Sequence, residues 1–432
     1  MVAPSPAETA QAKLEEIRHL ARVAPKGDEA AIAKVIAFLN SADVNIRSAA
    51  LRAVGSLAER GDEHYIGVVA AFVEDFDEFV RRAAVDALAE LAEDGGTNVL
   101  EALMPWLQHD DWHVRQTAVR AIAEIADHND ERAISALARC FADSELQVRE
   151  VAMEELIRVA ARGDRRAVEA VSGQLRHKDW HVRHVAMRAM VKVADKGDEK
   201  AVAAVAEHLG DVFPDVRYVA VQAMAQVADN KSDKAIQGVA SCLEDVDVFI
   251  RDAALEALEK VAKEGDERAI AAVARRLEHH DKEVREAALE AIGRVAGVGD
   301  VAAINECSAR LESHVREVRE IALQALLRVS DISDPTAVTA VGERLLHRRA
   351  DVREVALRAL LQVASQGNEL AVAAVCKGLQ HDRPDVRIHS LRALPKVAKQ
   401  GDFNAIDATA ECLEDEDVKV KQAAQETHER LS

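Results

Sequence analysis

One step recurs along this chain at a fixed interval. A Val-Arg or Ile-Arg pair places arginines at Arg47, Arg81, Arg115, Arg149, Arg183, Arg217, Arg251, Arg285, Arg319, Arg353 and Arg387, and Lys421 completes the series. Every interval is 34 residues, with no insertion or deletion. Self-similarity at such a period marks a repeat architecture, in which each unit buries its apolar face only against its neighbours.

Other columns keep step with the arginine. Three residues after it stands Ala (Ala50, Ala84, Ala118 and onward to Ala356), with Ser390 the exception. Seven after it comes Val54, Leu88, Ile122, Leu156 or Met190, and ten after it Leu57, Leu91, Ile125, Val159 or Val193. Spacings of three, four and seven trace one face of an α-helix, and the small Ala column lets neighbouring helices approach closely. A second apolar column lies eight residues before the arginine, from Leu39 to Leu413. Each unit therefore reads as helix A, turn, helix B. Between units, Gly stands fourteen residues after most of the arginines (Gly61, Gly95, Gly163, Gly197 and others), usually followed by Asp (Asp62, Asp164, Asp198). Gly suits the left-handed position that ends a helix, and Asp caps the next one.

Composition agrees. Gly (19) and Pro (8) are sparse and aromatics make up 3%, a helix-former's balance. The formal net charge of −20 opposes nucleic acid and anionic lipid, so neither is an expected partner. The cysteines (Cys140, Cys242, Cys307, Cys376, Cys412) are odd in number, far apart and without a CxxC pair, which points to no disulfide framework, no zinc site and a reducing compartment. Met1 to Gln11 has no apolar core of a signal peptide, and no apolar run approaches the roughly 18 residues of a membrane span. The expectation is a cytoplasmic protein, the nucleus being also admissible, that binds no membrane and is monomeric in isolation.

The ends read as caps: a disordered tail over 1–12, a half-repeat over 13–27 resembling helix B alone, the repeat array over 28–417 and a capping helix over 418–432. Gln425, Thr427 and His428 stand there in apolar or Ala columns, as a polar outer face requires. Two interior positions break the pattern. Glu155 occupies an Ala column, and Pro395 falls inside helix B, where it removes a backbone donor and predicts a kink.

The pattern of Asp77-Glu78-Phe79-Val80-Arg81 and Asp281-Lys282-Glu283-Val284-Arg285, each followed three residues on by Ala, resembles the HEAT repeat, most closely the short subset named after phycobilisome lyase subunits. The resemblance covers 13–432. It implies an all-α fold, a right-handed α-solenoid of about twelve 34-residue helix pairs, in which a turn Asp and the repeated arginine form a hydrogen-bonded ladder. Asp75, Asp143, Asp211, Asp245 and Asp415 stand six residues before the arginine or lysine; His109, His177, His279, His347 and His381 take that place elsewhere. Iron-binding relatives resembling deoxyhypusine hydroxylase use several His-Glu pairs, and here only His428-Glu429 occurs. No metal, cofactor or catalytic residue is expected.

Two surfaces are candidates for binding. The first is a ridge of aromatic residues in or near the turns: Phe76, Phe79, Trp112, Trp180, Phe213 and Phe249. Exposed on successive repeats they would anchor a partner; tucked against the next turn they are edge core. The second is a cationic column nine residues after the arginine: Arg158, Lys192, Lys260, Arg294, Arg328, Lys396 and Arg430. Glu154, Glu256, Glu290 and Glu426 stand four residues ahead of four of these and predict intrahelical pairs, leaving Lys192, Arg328 and Lys396 free, with Arg188, Arg358 and Arg392 nearby. His181 and His184, beside Trp180, are the nearest approach to a metal pair, but two imidazoles do not make a site. The expected function is a scaffold or adaptor that binds other proteins through the concave helix-B face and the A–B turn ridge; the alternative that the resemblance implies is a phycobiliprotein bilin-lyase-like chromophore-handling subunit.

Overall fold

A computed structural model describes residues 6–432. Among them are 25 α-helices and no strand. An N-terminal helix, Pro6–Val23, precedes twelve A–B pairs. The first pair is Glu29–Ile36 with Val44–Leu57, and the last is Phe403–Glu411 with Val418–Leu431. The fold is an all-α solenoid. Residues 6–12, expected in a disordered tail, are helical instead; residues 1–5 lie outside the described residues.

Each helix B is fourteen residues long and begins three residues before the repeated arginine or lysine. Its N-terminus is capped in most repeats by an Asp carboxylate, as when Asp77 accepts from the Phe79 N–H at 2.9 Å. Helix A is capped in the same way, Asp28 accepting from Ala30 and Ala31 at 3.0 Å. The Ala column packs as expected: ten alanines from Ala50 to Ala356 are fully buried, and Ser390 nearly so. The turn glycines sit at positive φ, Gly61 at 81° for example, and Asn129 and Ser333 adopt the same conformation where Gly is absent. The backbone N–H at this place donates to the terminal helix-B carbonyl of the following repeat: Gly27 to Leu57 at 2.7 Å, Asn129 to Val159 at 2.9 Å, Gly401 to Leu431 at 2.7 Å. That bond satisfies an end carbonyl the helix itself cannot pair.

Contacts cluster into two units, one running to Val205 and one from Ala206. In the first, Gly55 is a close-packing point, because a Cβ there would meet the Ala87 Cα at 2.9 Å. The third repeat is irregular. Gly96 takes the Asp place, so the helix Thr97–Leu103 has no side-chain cap, and its 3-10 continuation, Met104–Gln108, which contains Pro105, has no buried residue. Leu107, in a column that is core almost everywhere else, is only half-buried there.

In the second unit the helix Pro384–Val397 keeps its fourteen residues through Pro395. The expected polar face of the last helix holds for Gln425, which is exposed, but Thr427 is buried and donates to the Leu391 carbonyl at 3.0 Å. Glu155 is accommodated in the first unit by an ion pair with Arg158 at 2.7 Å.

Candidate interaction surface

The turns between helices A and B carry the surface, and the repeated arginine makes them stiff. In all eleven repeats that have it, its Nη1 donates to the carbonyls six and five residues back, at 2.8 to 3.3 Å. The rest of the guanidinium reaches the next repeat. Arg47 holds Asp75 at 2.9 and 3.1 Å, Arg115 holds Asp143 at 2.7 Å twice, and Arg217 holds Asp245 at 2.6 and 2.9 Å. Arg387 meets Asp415 at 2.8 Å. The first three are forked, mostly buried pairs, the strong class of ion pair. The Asp143 carboxylate raises the Arg115 pKa through its hydrogen bond, and Asp245 does the same for Arg217.

The histidines in the Asp place have a defined task. His109, His177, His279, His347 and His381 each accept, through Nδ1, the N–H two residues on at 3.0 to 3.1 Å, as Asp75 and Asp143 do with a carboxylate oxygen. What they cannot supply is a negative charge for the preceding arginine. Three arginines find it four residues later: Arg251 on Glu283, Arg319 on Asp351 and Arg353 on Asp385. Arg81 turns to the Thr117 hydroxyl at 3.3 Å, and the buried Nε of Arg149 has no hydrogen-bond partner among the described residues.

The aromatic ridge divides. Phe76, Phe79 and Phe249 are 83%, 76% and 70% exposed. Trp112 and Trp180 are half-buried and stack on His113 and His181, with ring centroids 3.7 and 3.9 Å apart. Trp180 also meets His184 edge-on at 6.4 Å, and His181 Nδ1 lies 3.0 Å from Asp179, so the two imidazoles flank an indole and share no ligand position. Among the described residues no group of three or more His, Cys, Asp or Glu side chains could hold a metal ion. The aliphatic part of the ridge was missed in sequence: Val212 and Val246 are 86% and 90% exposed. Both stand five residues before the arginine, a column otherwise mostly polar, and that contrast was the available signal.

The cationic column is also divided. Of the four expected Glu pairs only Glu290 with Arg294 forms, at 2.7 Å; Arg158 takes Glu155 instead of Glu154. Arg358 is held by Glu320 at 2.6 Å and Arg188 by Glu150 at 2.6 Å, while Arg328 donates to the Leu289 carbonyl at 3.2 Å. Lys192, Arg392 and Lys396 are exposed with no ion pair among the described residues. A second arginine series, also unread in the sequence, runs through the second unit near the end of helix A. Arg276, Arg310 and Arg344 approach Glu244, Glu278 and Glu312 at 2.9, 3.0 and 3.2 Å as ion pairs, without the alignment of a hydrogen bond. Both columns keep the interval of 34.

The remaining chemistry is quiet. Burial pushes the thiols of Cys140, Cys242 and Cys307 up to about 12 and that of Cys376 to about 11, so none is a thiolate at neutral pH. The irregular third repeat opens a cavity of about 930 Å3 toward the fourth, lined by Met104, Leu107, Arg139 and Cys140 among others. Among the described residues no helix is long and apolar enough to cross a membrane.

The family model for HEAT repeats matches residues 66–158, 147–225 and 207–293, together more than half of the chain. The chain is a HEAT-repeat protein. No curated protein matches it in sequence. Solved structures similar to this HEAT-repeat protein include an engineered protein, with 19% identity over 93% of this chain and 98% of that one and a TM-score of 0.26. Importin beta shares 14% identity over 99% and 66%, with a TM-score of 0.38. The karyopherin Kap121p, bound to the extreme C-terminus of the protein phosphatase Cdc14p, shares 12% over 99% and 53%, with a TM-score of 0.45. The chain thus spans about half to two thirds of the length of the latter two.

Proposed function

We propose that this HEAT-repeat protein is a non-catalytic scaffold that binds other proteins through its turn ridge and the solvent face of its B helices. The observation that carries this is the exposure of Phe76, Phe79, Val212, Val246 and Phe249 on turns that the arginine Nη1 bonds and Asp caps hold rigid. A large apolar side chain presented to water on stiff backbone loses little entropy when a partner covers it. The free cations Lys192, Arg392 and Lys396 add sites for acidic partner groups. The free, protonated thiols favour a reducing compartment such as the cytoplasm.

The test is crosslinking mass spectrometry of the intact chain in native extract, compared with the variants Phe79→Ser, Val246→Asp and Phe249→Ser. Crosslinks concentrated at the turns, and lost in these variants, are expected. An identical partner set for wild type and all three variants would remove the ridge from the proposal. The bilin-lyase-like alternative is separated by incubation with a bilin and an apo-phycobiliprotein, where the scaffold role predicts no chromophore transfer.

A further inference from the structure

The solvent face of helix B is bare in the first repeat and covered in every other. One residue after the ladder position, the other repeats carry a larger side chain, such as Arg82, Gln116, Glu150 or Tyr218; the first has Ser48. Nine residues after it, every other repeat has Glu, Gln, Lys or Arg; the first has Ser56. The outcome is a groove of about 610 Å3 between the helices Pro6–Val23 and Val44–Leu57, with the exposed ring of Phe79 at its edge.

The groove has an apolar lining and a one-signed rim. Leu14, Ile17, Ala49 and Ala53 join Phe79 in lining it. Its charged lining side chains are Arg18 and Arg52, and among the described residues no carboxylate lines it, although the chain as a whole carries −20. Arg18 is exposed and has no ion pair among the described residues. Arg52 has one loose acid contact, Asp86 at 3.5 Å, and Asp86 is held more closely by Arg82 at 3.1 Å. Ser48 gives a second and independent sign. It lines the groove, is only 8% exposed, and its Oγ has no hydrogen-bond partner among the described residues. A buried hydroxyl without a partner is unfavourable unless something from outside bonds it.

We propose that this groove docks an acidic amphipathic peptide segment of a partner protein. Apolar side chains on one face of the segment lie against Leu14, Ala49 and Phe79, its carboxylates meet Arg18 and Arg52, and a polar group bonds the Ser48 hydroxyl. The volume falls within the range of about 300–1,000 Å3 typical of binding pockets, enough for the closely spaced anchors by which an amphipathic segment seats in a groove. This deepens the scaffold function and rests on it.

The experiment pans a phage-displayed library of random peptides against the intact chain. Enriched sequences should combine Asp or Glu with Leu, Ile or Phe. A fluorescein-labelled synthetic copy of the best one should bind wild type and lose at least tenfold in affinity on Ala49→Trp, which fills the groove. The same loss is expected for Ser56→Lys, which restores the covering side chain of the other repeats. Both should fold, because Val151, Ile321 and His389 already occupy the Ala49 column and Lys192, Lys260 and Lys396 the Ser56 column; circular dichroism and the melting temperature check this. Arg18→Glu and Arg52→Glu should each weaken binding several-fold, with the difference shrinking at high salt. Basic or uncharged peptides, or peptides that bind both groove variants as well as wild type, overturn the groove. If those same peptides are lost on Val246→Asp, the scaffold function stands without it. Failure to enrich any peptide overturns the groove as well, and the scaffold function falls with it only if the crosslinking comparison also finds no partner.

Discussion

The Thr427 hydroxyl donates at 3.0 Å to the main-chain carbonyl of Leu391, the acceptor that Pro395 leaves without its helical N–H four residues on. Both sides are buried: Leu391 is fully covered and Thr427 is 3% exposed. A side chain of the last helix thus repairs a backbone defect in helix B of the preceding repeat, and the two residues should be energetically coupled. Thr427→Val should destabilise the chain by about 1–2 kcal/mol, the cost of leaving a buried carbonyl unpaired. With Pro395→Ala already in place, position 395 regains an N–H and the cost of Thr427→Val should fall below about 0.5 kcal/mol. Urea midpoints of the four chains of the cycle check this, and strictly additive changes would refute the coupling.

The ion pairs should separate by burial. Arg115 and Asp143 have side chains 11% and 7% exposed, so Asp143→Ala strands a nearly buried guanidinium and should cost about 2–3 kcal/mol. Arg358 and Glu320 are as short, at 2.6 Å, but 45% and 37% exposed, and Glu320→Ala should cost less than about 1 kcal/mol. Equal losses for the two variants would show that burial does not rank these contacts.

The fold was legible because its determinants are local and recur. Helix faces, Ala spacing and caps each repeat in a fixed column, so one repeat confirms the next. The departures were tertiary. The repair of the Pro395 defect could not be read in advance, because Thr427, thirty-two residues away, has no sequence relation to it until the helices stack. Whether Trp112 and Phe79 were exposed depended on the neighbouring residue: His113 stacks on Trp112, whereas Phe79 stands free at the groove edge. The groove itself follows from what Ser48 and Ser56 lack, and a missing side chain leaves no pattern of its own in a single sequence.

Acid should loosen the second unit through its ladder carboxylates. Burial works against the charge of Asp245 and of Asp415, yet the guanidinium groups of Arg217 and Arg387 and the N–H groups of Asp247 and Asp417 hold both below the usual carboxylate range. Asp351 and Asp385 are lowered chiefly by Arg349 and Arg383. A carboxyl that titrates lower in the folded chain contributes stability that is complete above its unfolded value and is lost as the pH falls through the folded one. Stability should therefore stay level from neutral pH to about 5 and decline from about 4 downward. Asp245→Asn should lower the neutral-pH midpoint and flatten the decline. A stability curve of unchanged slope in that variant would remove Asp245 from the account.

Where a histidine replaces the turn aspartate, the preceding arginine loses a partner, and restoring the acid should stabilise the chain. His177 is the clearest place. Its Nδ1 accepts the Asp179 N–H at 3.1 Å, a bond that Asp143 makes to Glu145 at 2.9 Å in the preceding turn. Arg149, twenty-eight residues earlier, is 8% exposed with its Nε unpaired, whereas Arg115 at the same distance from Asp143 has a forked pair. His177→Asp keeps the turn bond and gives Arg149 a carboxylate, so stability should rise by about 1 kcal/mol, the net worth of a charge-assisted bond less the cost of burying it. The melting temperature should rise by about 1 °C. His109→Asp is the internal comparison: Arg81 already uses the Thr117 hydroxyl, so the gain there should be smaller. A melting temperature that stays level or falls in His177→Asp would mean that the Arg149 guanidinium is satisfied by other means.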